Sequence, residues 1–284
     1  MSKWNLIFDV ARCTSCNNCV LVTKDEYLFN RFEGYSEPAP RQGNLWLTLQ
    51  RKERGKAPMM DVSHYISTCQ QCDNAPCMSE KTKGAISKRP DGIVVIDPVA
   101  AKGRKDLVET CPYGQIFWNE ELEVPQKWSF DAHLIDAGRK EPRCATACPT
   151  RAIEAVRVTD AEMAKMAETQ ELQQLRPELG TKPRIWYRNF DRVTAHFLGG
   201  TVVTVRDGVE DNAEGLEVQL VVDGAVRESC RTDAFGDFKF EPLPAPLEGT
   251  LKVLSDDGRT LASLDFQLTE SRHVGIIEIR DGKN

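Results

Sequence analysis

Cys13-Thr-Ser-Cys16-Asn-Asn-Cys19 is the stretch on which the reading of this chain turns. Three thiols spaced by two residues can wrap one side of a compact metal cluster from a single tight turn. A second run, Cys69-Gln-Gln-Cys72-Asp-Asn-Ala-Pro-Cys77, repeats the pattern with a longer second gap. Further along stand Cys111-Pro112 and Cys144-Ala-Thr-Ala-Cys148-Pro149. A four-iron cluster is a cube that needs one thiolate per iron. In two-cluster ferredoxins the fourth thiolate comes from a cysteine just before a proline, contributed by the distant half. Two triplets and two remote Cys-Pro partners close at two [4Fe-4S] clusters and eight ligands: Cys13, Cys16, Cys19, Cys69, Cys72, Cys77, Cys111 and Cys148.

Two other uses of cysteine compete with this reading. Structural zinc prefers paired Cys-x2-Cys knuckles, often with histidine, and a Cys-x2-Cys-x2-Cys triplet is an uncommon zinc arrangement. A disulfide framework belongs to small secreted chains, and this chain has 284 residues. Of its ten cysteines, only Cys230 lies beyond Cys148.

The bulk composition is that of an ordinary globular protein, 40% hydrophobic and 28% charged. A net charge of −6 argues against a nucleic-acid partner, which would need a basic face. Apolar runs such as Ile93–Ile96 and Val202–Val205 are too short to span a bilayer. The first residues show no apolar leader and no twin arginine, so the expected location is cytoplasmic. Export alongside a partner that carries the signal is the alternative.

The expected fold is α+β in three parts. Residues 1–158 form a duplicated ferredoxin-like domain. Its two halves echo in Cys111-Pro-Tyr-Gly-Gln-Ile116 and Cys148-Pro-Thr-Arg-Ala-Ile153, each running into a strand. Ile93–Asp97 follows a Pro-Asp-Gly turn and reads as one arm of a hairpin. Residues 159–198 hold a helix over Asp160–Leu175, capped by Thr159 or Asp160, and then an irregular linker. Residues 199–284 read as a β-sandwich of Ig or transthyretin type. Its strands are Thr201–Val205, Glu217–Val222, Asp237–Phe240, Thr250–Val253, Leu264–Leu268 and Ile276–Ile279.

On these residues the chain resembles the four-cluster iron–sulfur subunits of molybdopterin enzymes of the dimethyl-sulfoxide-reductase superfamily. The branch with the small subunits of pyrogallol–phloroglucinol transhydroxylase and the resorcinol hydroxylases is the more similar. The likeness is carried by Cys13–Cys19, Arg51-Lys-Glu-Arg-Gly55, Cys72–Cys77, Asp91–Pro98, Cys111-Pro-Tyr-Gly114, Pro177–Arg184 and Phe235–Phe240. It implies that Cys148 completes the first triplet and Cys111 the second. It implies a large catalytic partner holding molybdopterin guanine dinucleotide with molybdenum or tungsten, and a substrate among hydroxylated aromatic compounds. It implies no catalytic residue in this chain. The family's other two cluster positions fall on Ala101, Arg104 and Leu107, and on Trp128, Asp131, Cys144 and Thr23, which should hold no cluster. Two clusters that are not neighbours in such a wire exchange electrons slowly. That favours storage, structure or short-range transfer over long-distance export, which hydroxylation with water would need. A subunit whose clusters only hold the fold together is the non-redox alternative.

The remaining features read blandly. Cys144 and Cys230 are small hydrophobes. His64, His133, His196 and His273 are surface or packing residues. Gln50–Arg54 is a solvated or docking face, and Trp186, Tyr187, Phe190 and Phe197 form packing. Ser255, Asp256, Asp257 and His273 make no triad.

Overall fold

A computed structural model of the chain describes residues 1–280. The chain divides into two units: Met1–Arg51 with His64–Phe190, and Lys52–Ser63 with the chain from Asp191 onward.

The first unit is organised by a four-stranded sheet in the order Ile153–Val158, Lys3–Asp9, Ile185–Arg188, Gln173–Gln174. Lys3–Asp9 lies inside the sheet and is buried at every position after Lys3. Phe8 faces Ile153 across an antiparallel pair and Tyr187 across a parallel one. The parallel strand Ile185–Arg188 falls in the stretch that reads from sequence as irregular linker. It is short, and its partner lies at the far end of the unit, so no local pattern announces it. The Ile86–Lys88 and Val94–Ile96 hairpin forms around the Pro-Asp-Gly turn as expected, and Phe117–Asn119 pairs with Val124–Gln126.

The helix after the second Cys-Pro turn starts where its sequence predicts. Thr159 and Glu162 form a reciprocal capping box. It stops at Thr169, short of the expected Leu175. Glu171 turns left-handed at φ 51°, and the Leu172 amide returns to the Ala167 carbonyl at 2.8 Å. That turn buries Leu172 against Ile7 and Met163, a gain that continuing the helix would forfeit.

Arg184 locks this unit together. Its side chain is 4% exposed and reaches Asp73 at 2.5 Å and Asp160 at 2.6 Å. Arg184, helped by Lys3, holds the Asp160 carboxyl at about 2. Burial alone would raise Asp73, but Arg184 and Lys88 pull it below the usual carboxylate range. Removing one member of a buried ion pair costs roughly 3–5 kcal/mol, and Asp160 is exposed enough to recover part of that in water. Arg184→Met is therefore expected to cost about 2 kcal/mol, read as a lowered melting temperature under anaerobic conditions. An unchanged melting temperature would contradict this account of the lock.

A long hairpin, Leu47–Lys56 with Met59–Thr68, has its base in the first unit and its tip in the second. Arg54, expected on a solvated or docking face, is instead built into this hairpin. Its side chain is 2% exposed and pairs with Asp61 and Glu241.

The second unit packs two antiparallel-rich sheets. One centres on His196–Arg206, flanked by Val209–Asn212, Asp237–Leu243 and the parallel strand Arg272–Arg280. The other runs Ala225–Arg231, Glu217–Val222, Leu247–Leu254, Thr260–Leu268. Leu198, Val202, Val218, Leu220, Phe240, Leu251 and Leu268 fill the shared core. The six strands expected from sequence all fall within observed ones. Val209–Asn212 and Ala225–Arg231 are additional, and both are exposed edges without an apolar alternation to announce them. Gly236 needs its lack of a side chain: at φ 79°, a Cβ would stand 2.3 Å from the Val202 carbonyl. Ser255 donates to Asp257 within a tight turn, which serves the turn rather than catalysis. The last four residues of the expected sandwich lie outside the described residues.

Candidate metal centres

The first triplet sits where Lys3–Asp9 ends and the helix Asn18–Tyr27 begins. Ser15 and Asn17 adopt left-handed backbone at φ 57° and 60°. Such turns point successive amides inward and make a concavity that suits an anionic group. The Asp9 amide donates to the Ala152 carbonyl at 2.8 Å, which draws the second Cys-Pro turn to this loop. Cys13, Cys16, Cys19 and Cys148 then lie close enough to feel one another's charge. Burial pushes Cys13 up, with Cys148 and Cys16 adding to it. Burial, then Cys13, Cys148 and Cys16, push Cys19 up to about 12.

The second set is arranged alike. Cys69, Cys72 and Cys77 are buried, and Gln71 between them is left-handed at φ 51°. The loop is held by Asp73 and Asn74 amides donating to Lys182 and Thr181 carbonyls at 2.9 and 3.0 Å. Burial, then Cys69, Cys77 and Cys111, drive Cys72 to about 12. Burial and Cys69 raise Cys77 to about 11, with Cys111 adding to it. Burial likewise raises Cys111.

The internal echo has a structural meaning. In each Cys-Pro turn the third residue after the cysteine is left-handed, Gly114 at φ 64° and Arg151 at φ 54°. The next amide donates back to sulfur: Gln115 to Cys111 at 3.4 Å and Ala152 to Cys148 at 3.2 Å. An N–H aimed at sulfur favours a thiolate. The two turns are the same device used twice.

The donor sets suit polynuclear iron. Thiols that repel one another's negative charge are relieved by a cationic core. Two sets of four thiols suit a group with one iron per thiolate.

The other family positions are occupied by side chains. Ala101 and Leu107 are fully buried in an apolar cluster with Ile86, Val94 and Ile116, while Arg104 turns outward to Asp106 at 2.7 Å. Trp128, Asp131 and Cys144 are completely buried and Thr23 nearly so. There Asp131 accepts from Tyr27 Oη at 2.8 Å, Trp128 Nε1 at 2.9 Å and the Arg143 amide at 2.8 Å. Thr23 Oγ1 has no hydrogen-bond partner among the described residues.

His133 is a packing residue. It stacks on Phe32 with ring centroids 3.7 Å apart and meets Glu26 at 2.8 Å. Cys144 is fully buried and Cys230 half-buried. Sequence reading misses Lys127, which is buried and donates to the Val94 and Trp128 carbonyls. Its only sequence signal is a charge inside the apolar stretch Val124–Phe130.

No helix among the described residues is long and apolar enough to cross a membrane. Residues 60–158 match the 4Fe-4S dicluster domain family. The pyrogallol hydroxytransferase small subunit of Pelobacter acidigallici is 40% identical over 283 residues, spanning 98% of this chain and all of that one. A tetrathionate reductase subunit of Salmonella typhimurium is 27% identical over 66% of this chain and 73% of its own length. A sulfite dehydrogenase subunit of Allochromatium vinosum is 30% identical over 66% of this chain and 83% of its own length. With a duplicated Cys-Pro device, a dicluster domain and a relative aligned from end to end, the chain belongs to the iron–sulfur subunits of the dimethyl-sulfoxide-reductase superfamily, in the branch of the pyrogallol hydroxytransferase small subunit.

Proposed function

We propose that this chain is the iron–sulfur subunit of a heteromeric molybdopterin enzyme acting on hydroxylated aromatic compounds. It holds one [4Fe-4S] cluster on Cys13, Cys16, Cys19 and Cys148 and another on Cys69, Cys72, Cys77 and Cys111. The observation that carries this reading is the pair of four-thiol sets, each made of one triplet loop and one remote Cys-Pro turn. When bound, such clusters accept and return single electrons. The chain's own residues supply thiolates and inward amides, with a second set that is largely buried and a first set that is exposed at Cys16. The molybdopterin guanine dinucleotide, with molybdenum or tungsten, belongs to the large partner, where the chemistry takes place in the cytoplasm.

The division of labour follows the expected domains. Residues 1–158 hold the clusters, 159–198 pack against the partner, and the sandwich from 199, of Ig or transthyretin type, docks or stabilises the complex. An apolar cluster around Ala101 and Leu107, and a polar network around Asp131, stand where further clusters would extend a wire. That favours short-range transfer or storage over export, and so a transhydroxylase-like reaction without net electron release.

The test is to tag the chain in its native host and purify it anaerobically. Co-purification of a large subunit with stoichiometric molybdenum or tungsten and pterin is expected. Both clusters should reduce with dithionite and reoxidise reversibly in that complex, which should turn over a polyhydroxylated benzene without an external electron acceptor. A chain that purifies alone, or clusters that do not cycle reversibly in the complex, would overturn the redox reading.

A further inference from the structure

Two charged side chains four residues apart are buried in the first unit. Lys127 is 4% exposed and Asp131 is 0% exposed. Neither has a partner of opposite charge within ion-pair distance among the described residues, although burying an isolated charge is costly. Lys127 lies against the second cysteine set, and Asp131 is tied by hydrogen bond to the helix that carries Cys19.

Lys127 Nζ donates to the Val94 and Trp128 carbonyls. Val94 in turn donates its amide to Gln71 Oε1 at 2.8 Å, and Gln71 Nε2 donates to the Trp128 carbonyl at 3.2 Å. Gln71 belongs to the loop between Cys69 and Cys72, and Val94 packs in one apolar cluster with Cys77 and Cys111. The ammonium is thus built into the wall of the second set, and its charge reaches Cys77 and Cys111.

Asp131 is hydrogen-bonded to two helices, one carrying Cys19 and the other Cys144. Tyr27, which donates to it, ends the helix that carries Cys19. The Arg143 amide, which also donates to it, opens the short helix that carries Cys144. These two helices pack together, and the charges of both Asp131 and Cys19 reach Cys144. The three hydrogen bonds to Asp131 come from a phenol, an indole N–H and a backbone amide.

We propose that Lys127 and Asp131 set the two clusters' potentials apart. Lys127 raises that of the cluster on Cys69, Cys72, Cys77 and Cys111, and Asp131 lowers that of the cluster on Cys13, Cys16, Cys19 and Cys148. One-electron reduction adds one negative charge to a cluster. A buried cation beside it favours that step and a buried anion opposes it, most strongly in a dry, low-dielectric surround. The first electron from the reduced partner therefore rests on the second set. Both are positioning residues that act through the field rather than through a bond. The inference rests on the ligand assignment proposed above.

The experiment is an EPR-monitored potentiometric titration of the anaerobic complex, with dithionite as reductant and iron and sulfide counted on every sample. The wild type is expected to show two reduction steps. Lys127→Gln should lower one midpoint and Asp131→Asn should raise the other. Each shift should change the reduced-to-oxidised ratio at fixed potential at least tenfold, which is 59 mV for a one-electron couple. Lys127→Arg, which keeps the charge, should restore the wild-type order. Unmoved midpoints with about eight iron retained, or both variants acting on the same step, would overturn this inference and leave the ligand assignment standing. Low iron in the wild type would instead sink the assignment itself. If Lys127→Gln loses a cluster, Asp131→Asn decides: a raised midpoint supports the proposal and an unmoved one overturns it.

Discussion

Cys148→Ser is expected to halve the iron of this chain, from about eight to about four per polypeptide, and to remove one of two reduced-cluster EPR signals. The sulfur lost is the one that ties two distant stretches together. The first triplet lies on the loop after Lys3–Asp9, and Cys148 lies just before Ile153–Val158, the strand beside it. A serine hydroxyl does not replace the thiolate that Ala152 stabilises through its amide at 3.2 Å. Cys111→Ser should do the same to the other signal, because Gln115 serves Cys111 as Ala152 serves Cys148. Cys144→Ser is the control and should keep all the iron. Equal iron loss from Cys144→Ser would show that the fourth ligand of the first set is misassigned.

Trp128→Ala is expected to be the most destabilising substitution outside the cysteines. Trp128 is fully buried and packs on Phe130 with centroids 5.0 Å apart, and Phe130 meets Trp4 at 5.8 Å. Truncating a buried tryptophan costs about 3–5 kcal/mol. Asp131 also loses the indole donor at 2.9 Å, which adds about 1–3 kcal/mol. That sum is a large share of the roughly 5–15 kcal/mol that holds a typical domain. Trp128→Phe keeps most of the volume and loses only the donor, so it should cost about 1–3 kcal/mol. Anaerobic melting should rank wild type, then phenylalanine, then alanine. Cluster loss accompanies unfolding, so the ranking of midpoints is the readable quantity rather than an absolute free energy. An alanine variant as stable as the phenylalanine one would mean that the ring fills no essential volume.

How much of this is legible in the sequence follows from the range of each signal. The cysteine spacing is local and chemically restrictive, and it is enough to read the triplets and the Cys-Pro turns. The capping box at Thr159 and Glu162 is equally local and marks the helix start. The helix end is not legible, because Leu172 is pulled back by the core around Ile7, which lies far away in sequence. Ile185–Arg188 escapes notice because a short parallel strand takes its identity from its partner. The Asp131 network joins residues 104 apart through Tyr27. The family resemblance flags Asp131 as an unusual residue at a cluster position but does not show which donors it satisfies. Lys127 is passed over because a single lysine looks solvated until burial is known.

Iron and acid-labile sulfide per chain, measured on the anaerobically purified complex with EPR after dithionite, test the central claim most directly. The account predicts about eight of each, as two four-iron clusters require, with two distinguishable reduced signals. Zinc with little iron would contradict it outright. About twelve iron would mean that a third cluster is bound and that the network of Trp128, Asp131, Cys144 and Thr23 is not the filled position described for it.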